Sequence, residues 1–306
     1  MKGIGEIVKK ELKTTEVKET ISEILKVPKQ KVTDITVFDK GMTNHSFLFT
    51  INQEQFIMRI PGEGTVRMLD RSNEAFVYQT IGDLGICDDI IYINAQNGCR
   101  ITKFWEGART CDPKSMSDVK RCMRKLRYFH EQELQVQHEF DLFEQIEFYE
   151  KLWDGVPSKY SDYKITKRNI LALKSYIERY VDKKVLTHID AIPDNFLFVP
   201  EGEKESVRLI DWEYAGMQDP HVDIAMFSLY SLYNRKQIDQ LIDLYFTESC
   251  SWEIRIKIYC YIAVGGLLWS NWCEYKRKFG VEYGEYAEFQ YCFAKDYYRI
   301  VQNELE

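Results

Sequence analysis

The feature that most restricts the fold is a change of hydrophobic period near residue 104. Between residues 30 and 104 apolar residues come in short alternating runs bounded by turn residues. Strands are expected at residues 32–38, 46–51 and 55–60. The first connection is Gly41-Met42-Thr43-Asn44-His45 and the second Asn52-Gln53-Glu54, so the three form an antiparallel meander. A helix is expected over 67–82, where Leu69, Ala75, Phe76, Tyr78 and Ile81 repeat with helical spacing. Strands at 89–93 and 100–104 then flank an Asn97-Gly98 turn. The order β-β-β-α-β-β implies an antiparallel sheet with one inserted helix, an α+β pattern. After Trp105-Glu106-Gly107 the spacing becomes helical. Helices are expected at 117–132, 142–152 and 166–181, short strands at 185–188, 195–199 and 207–210, and a run of helices from Pro220 onward. The chain therefore divides into 1–104 and 105–306. The first 28 residues add an amphipathic helix carrying Ile4, Ile7, Val8, Leu12, Ile21, Ile24 and Leu25.

Composition excludes several classes. Of the 306 residues, 41 are Lys or Arg and 48 Asp or Glu, a net charge of -7 that argues against a nucleic-acid surface. The eight cysteines form no C-x-x-C pair and lie near no His at zinc spacing, so they read as reduced, mostly buried thiols. The N-terminus lacks the apolar core of a signal peptide. The longest apolar stretch, 258–269, is interrupted by Gly265-Gly266 and is too short to span a bilayer, so a buried helix is expected. The expectation is a cytoplasmic protein with no membrane insertion.

Chemistry concentrates in one stretch. Leu186-Thr-His-Ile-Asp-Ala-Ile-Pro-Asp-Asn-Phe-Leu197 is followed by Leu209-Ile-Asp-Trp-Glu-Tyr-Ala-Gly216. Asp190 and Asn195 lie across a tight loop containing Pro193, and Asp211 ends the next strand. Any one of them could simply cap a turn. Together, two carboxylates and an amide oxygen suit a hard cation. Phosphoryl transfer needs that set: a metal to neutralise phosphate and a spare carboxylate for the acceptor hydroxyl.

The pattern His188-x-Asp190-x-x-x-x-Asn195, followed by Ile210-Asp211-Trp212-Glu213-Tyr214-Ala215-Gly216, resembles the choline/ethanolamine kinase family, bacterial choline kinase type. That family lies in the aminoglycoside-phosphotransferase branch of the protein-kinase-like fold. The resemblance runs from about residue 30 to the C-terminal helix. It implies a bilobal fold, with a small five-stranded sheet and one helix in the N-lobe and a larger, mainly helical C-lobe. It implies ATP and Mg²⁺ as cofactors. Asp190 would be the catalytic base or orienting carboxylate, and Asn195 and Asp211 would hold magnesium. His188 and Asp223 would buttress the loop, while the role of Glu213 stays open. Gly41, Met42, Thr43, Asn44, His45 and Ser46 would cover the phosphates. Arg59 would contact phosphate with Glu74 as its ion-pair partner. Residues 102–105, including Lys103 and Trp105, would form the hinge against adenine.

The acceptor is sought among the aromatics, which make up 14% of the chain and crowd its last fifty residues. Trp269 and Trp272, three apart, share a helix face. Ring faces attract a quaternary ammonium that cannot donate hydrogen bonds. By resemblance Trp269, Trp272 and Tyr286 line a choline site, with Tyr214 as a fourth ring. Tyr230 stands where eukaryotic members carry an acidic residue, which leaves choline and ethanolamine both open. The expected reaction is transfer of the ATP γ-phosphate to choline, giving phosphocholine and ADP. Ethanolamine, thiamine or an aminoglycoside are alternative acceptors. A catalytically dead kinase-like binding protein is a reading from another class, disfavoured because Asp190, Asn195 and Asp211 are all present. The Trp-rich C-terminal surface is also compatible with a homodimer.

Overall fold

The computed structural model describes residues 14–38, 44–62 and 65–306. The chain forms two compact units: Met1–Ala108 with Val199–Ser206, and Arg109–Phe198 with Val207–Glu306.

The first unit contains α1 (Thr14–Leu25), β1 (Val32–Val37), β2 (Asn44–Ile51), β3 (Glu54–Pro61), α2 (Arg71–Ile81), β4 (Ile90–Ile93) and β5 (Arg100–Lys103). Its sheet has the order β1-β2-β3-β5-β4, antiparallel at every pairing. Asn52 and Gln53 both adopt positive φ, at 50° and 70°, so the β2–β3 hairpin turns tightly in the sense that matches strand twist. Phe47, Phe49, Met58 and Ile101 form a core with Val17 and Ile21 of α1. The N-terminal helix thus covers one face of the sheet. The earlier part of that expected helix, with Ile4, Ile7, Val8 and Leu12, lies outside the described residues.

Two expectations change here. The helix over 67–82 begins only at Arg71, because Asp70 caps it by accepting from the Ser72 amide at 2.9 Å, while Thr65–Arg67 forms a separate 3₁₀ turn. In the first connection, Asn44 and His45 belong to β2, where they pair with Pro61 and Ile60. Gly41, Met42 and Thr43 lie outside the described residues.

The second unit opens with β6 (Arg109–Thr110), α3 (Met116–Glu131), α4 (Leu142–Lys151), α5 (Tyr163–Ala172) and α6 (Lys174–Tyr180). Next come β7 (Val185–Thr187), β8 (Phe196–Glu201), β9 (Lys204–Leu209) and β10 (Gly216–Gln218), the tip of the β8–β9 hairpin belonging to the first unit. It ends with α7 (His221–Tyr230), α8 (Arg235–Tyr245), α9 (Trp252–Arg277) and α10 (Glu285–Leu305). β7 pairs antiparallel with β10, and β6 with β8. Both β6 and β10 escape sequence reading because two or three residues show no alternation.

The single helix expected over 166–181 is two. At Leu173 the ladder tightens, its amide donating to the Ile170 carbonyl, and Leu173 and Ile177 are both buried beyond the break. Helix α9 extends well past the apolar stretch that announced it. It is buried without interruption from Ile256 to Lys276, polar residues included. Such burial needs partners: Lys257 donates to Asp219 at 2.5 Å, and Asn271 to the Tyr163 hydroxyl at 2.8 Å. The result is the bilobal α+β architecture expected, a sheet with helices in one unit and a mainly helical second. The described cysteines form no disulfide, and six of the eight are buried. No helix among the described residues is long and apolar enough to cross a membrane.

Candidate active site

In the second unit, β7 delivers the chain into the loop 188–195. Ile189 adopts φ 72°, a costly conformation for a β-branched residue. Asp223 holds it there. One carboxylate oxygen accepts from the His188 amide at 2.9 Å and the other from the Ile189 amide at 2.7 Å. His130 Nε2 lies 3.0 Å from the same carboxylate, and its Nδ1 lies 2.8 Å from the Tyr245 hydroxyl. Asp223 is therefore itself positioned by a buried chain that reaches α3 and α8, a chain the sequence pattern did not disclose.

His188 is fully buried. Its Nε2 donates to the Ile210 carbonyl at 2.9 Å, and its ring packs edge-on against Trp212 at 4.5 Å. Burial pushes its pKa down, so it is a neutral strut between the loop and the strand that carries Asp211.

The amide nitrogen of Asn195 donates to the Asp190 carboxylate at 3.1 Å and to the Asp190 carbonyl at 2.8 Å. This leaves the Asn195 oxygen as the side chain's ligand atom. Asp211 has φ 68°, and carboxylate oxygens of Asp211 and Glu213 lie within 4.8 Å of one another. Burial, then the negative charges of Asp211 and Glu213, push Asp190 up to about 8. The adjacent carboxylates of Asp211 and Glu213 are donors that a hard divalent cation fits, and its charge would relieve their repulsion of Asp190.

The substrate-side residues form a run of ring contacts. Phe140 meets Tyr214 at 6.2 Å, Tyr214 meets Trp269 at 5.5 Å, and Trp269 meets Trp272 at 6.3 Å. Trp272 then contacts Tyr283 at 4.9 Å, Tyr283 contacts Tyr286 at 6.4 Å, and Tyr286 contacts Tyr230 at 6.1 Å. The Tyr230 hydroxyl ends the arc by donating to Asp194 at 2.6 Å. Burial raises the phenols of Tyr214, Tyr230 and Tyr286, and the negative charge of Asp190 raises each further. Rings at both ends of the arc thus feel the same carboxylate. All five rings singled out in the sequence are in this arc. Tyr283, Phe140 and Asp194 join it unannounced, for Phe140 and Asp194 meet partners far along the chain, and Tyr283 reaches Trp272 from beyond the end of α9.

In the first unit, Arg59 Nη2 donates to Glu74 at 2.7 Å, so the expected ion pair is present and buried. Glu74 also accepts from Arg71 at 2.7 Å and Arg100 at 3.1 Å. Arg100 further contacts the Tyr78 hydroxyl and Asp88. Neither Arg71 nor Arg100 was marked by any motif. Ser46 lies directly opposite Arg59 across the β2–β3 pairing, with Asn44 and His45 preceding it in the strand. In the expected hinge, the amides of Lys103 and Phe104 are engaged by the Asp89 and Gln55 carbonyls, at 3.0 and 2.9 Å. The Trp105 carbonyl accepts from Ala108. Those two N–H groups are therefore committed to the sheet.

Residues 35–243 match the family model of choline/ethanolamine kinases. The chain is 24% identical over 261 residues to the protein LicA of Haemophilus influenzae, covering 80% of this chain and 94% of that one. Among solved structures it is similar to the choline kinase LicA from Streptococcus pneumoniae, with a TM-score of 0.81, 27% identity, and coverage of 93% of this chain and 98% of that one. A LicA complex with AMP gives 0.81 and 26%, covering 94% and 98%. The aminoglycoside phosphotransferase APH(4)-Ia, at 0.65 and 13% with 93% and 98% coverage, shares the fold. The chain belongs to the choline/ethanolamine kinase family, and with it is an ATP-dependent phosphotransferase acting on a small-molecule alcohol.

Proposed function

We propose that the acceptor is choline and the products are phosphocholine and ADP. The observation that carries this reading is the ring arc from Tyr214 to Tyr230 within electrostatic reach of Asp190. A trimethylammonium offers no N–H, so ring faces are its natural partners, while ethanolamine would call for more oxygen acceptors. The similarity to a protein described as a choline kinase points the same way.

In this reading residues 1–104 handle the nucleotide and 105–306 the metal and acceptor. Trp269, Trp272, Tyr214, Tyr230, Tyr286 and Tyr283 receive the ammonium and hold the hydroxyl end toward Asp190. The choline oxygen forms a bond to the γ-phosphorus as the β–γ bridging bond breaks, and the hydroxyl proton passes to Asp190. Burial and the Asp211 and Glu213 charges raise Asp190 in the metal-free site; a cation held beside it would act in the opposite sense and favour the carboxylate form that accepts the proton. Asn195 and Asp211 would hold Mg²⁺, which neutralises phosphate charge when bound. Arg59, fixed by Glu74, contacts phosphate together with the loop 41–46. Most of the barrier reduction is positioning and charge neutralisation.

The test is ADP release with ATP and Mg²⁺ across choline, ethanolamine, thiamine and kanamycin. Preferred turnover of choline is expected. Turnover of kanamycin or ethanolamine in its place would overturn the assignment.

A further inference from the structure

Helix α9 places a lysine where a lysine is costly. Lys276 lies one turn beyond Trp272 and is only 3% exposed. Among the described residues its ammonium makes no hydrogen bond and no ion pair. It sits 5.6 Å from the centroid of the Trp272 ring, within cation–π range. Burial lowers its pKa, and the Glu213 carboxylate acts in the opposite sense. A surface lysine would carry its head to water along its four-carbon stem. This one places its Nζ against an aromatic surface, and that surface is part of the ring arc.

We propose that Lys276 is a built-in competitor for the acceptor's cation: its ammonium uses the Trp272 ring, and a substrate ammonium bound there must displace it. The proposal rests on the choline-kinase reading in one respect, that the arc receives the acceptor's charged end. Lys276 then weakens binding of a cationic acceptor and leaves a neutral one of the same shape unaffected. The flexible stem lets the lysine yield without moving the helix. The sign is distinctive, since loss of a buried residue that only packs the helix weakens binding.

The experiment measures binding by calorimetry with the full chain. The ligands are choline and its neutral carbon isostere, in which a tert-butyl group replaces the trimethylammonium. Lys276→Met should bind choline about threefold to tenfold more tightly, the range of a partly desolvated cation–π contact, with isostere binding unchanged. Lys276→Arg, which keeps the charge, should show no gain. If Lys276→Met does not fold, Lys276→Gln makes the same comparison. Unchanged or weaker choline binding overturns the proposal, and so does an equal gain for both ligands, which would mean altered packing. Turnover is scored separately. Choline that binds the wild type and is not phosphorylated defeats the choline-kinase reading while the competition stands. Failure of both wild type and variant to bind choline defeats the proposal itself.

Discussion

Asp190 is the residue at which structure and chemistry meet most directly. Its carboxyl is raised from 3.8 to about 8 by burial first, then by Asp211 and Glu213. Between those values the folded protein holds a proton that the unfolded chain releases. This contribution to stability is therefore full below 3.8 and is lost as pH rises through about 8. In metal-free protein, Asp190→Asn should raise the melting temperature at about pH 9 and change it little at about pH 5. Equal effects at both would mean that the site's charge repulsion is not felt. Asp190→Ala should lower kcat by about 10²- to 10⁴-fold and leave ATP binding nearly intact. Trp269 tests the other end of the acceptor. It is buried, with Nε1 donating to the Met226 sulfur, so Trp269→Phe is preferable to truncation. We expect a higher KM for choline and an unchanged KM for ATP; parallel changes would remove Trp269 from the acceptor pocket. Asp190, Asn195 and Asp211 were legible because their spacing along the chain is short. Asp194, four residues from Asp190, was overlooked because its importance comes from Tyr230, thirty-six residues away.

At the level of elements, two packing features make sharp demands. Helices α9 and α10 approach so closely at Gly266 that a Cβ there would lie 2.6 Å from the Gln290 carbonyl oxygen and 2.8 Å from the Ala294 nitrogen. Backbone cannot yield as a side chain can, so Gly266→Ala should cost about 1–3 kcal/mol in urea unfolding. The glycine pair interrupts the apolar stretch for a packing reason: Gly266 faces the α10 backbone, and Gly265 faces Leu229 and Met226 of α7. The second feature is Glu74 on α2, ringed by Arg59, Arg71 and Arg100. Glu74→Gln leaves buried guanidinium groups without their shared counter-charge and should cost about 3–5 kcal/mol, a loss readable by thermal melting. Gly98, at φ 70°, packs its backbone on Arg71, where a Cβ would meet the Arg71 side chain at 2.5 Å. The Asn97-Gly98 turn thus also shapes the arginine cluster. Long periodic elements such as α3 and α4 were legible almost to the residue. Elements whose ends depend on a cap or on neighbours, such as α2 and the α5–α6 break, were displaced.

For the whole molecule, ligand linkage offers the simplest check. ATP with Mg²⁺ should raise the melting temperature in a concentration-dependent way, and chelation of the metal should remove most of that shift. An identical shift with and without chelator would separate nucleotide binding from Asn195 and Asp211. The sequence by itself determined the α+β division, the meander, the loop carrying Asp190 and Asn195, and the family. These depend on periodicity and on motifs contiguous in the chain, which local propensity and turn chemistry enforce. Only the tertiary structure decided that Asp223 is steered by His130, that three arginines share Glu74, and that rings from α7, α9 and α10 form one arc with a lysine against it. Those arrangements join residues far apart in sequence, and burial alone brings their charges and ring faces close enough to interact strongly.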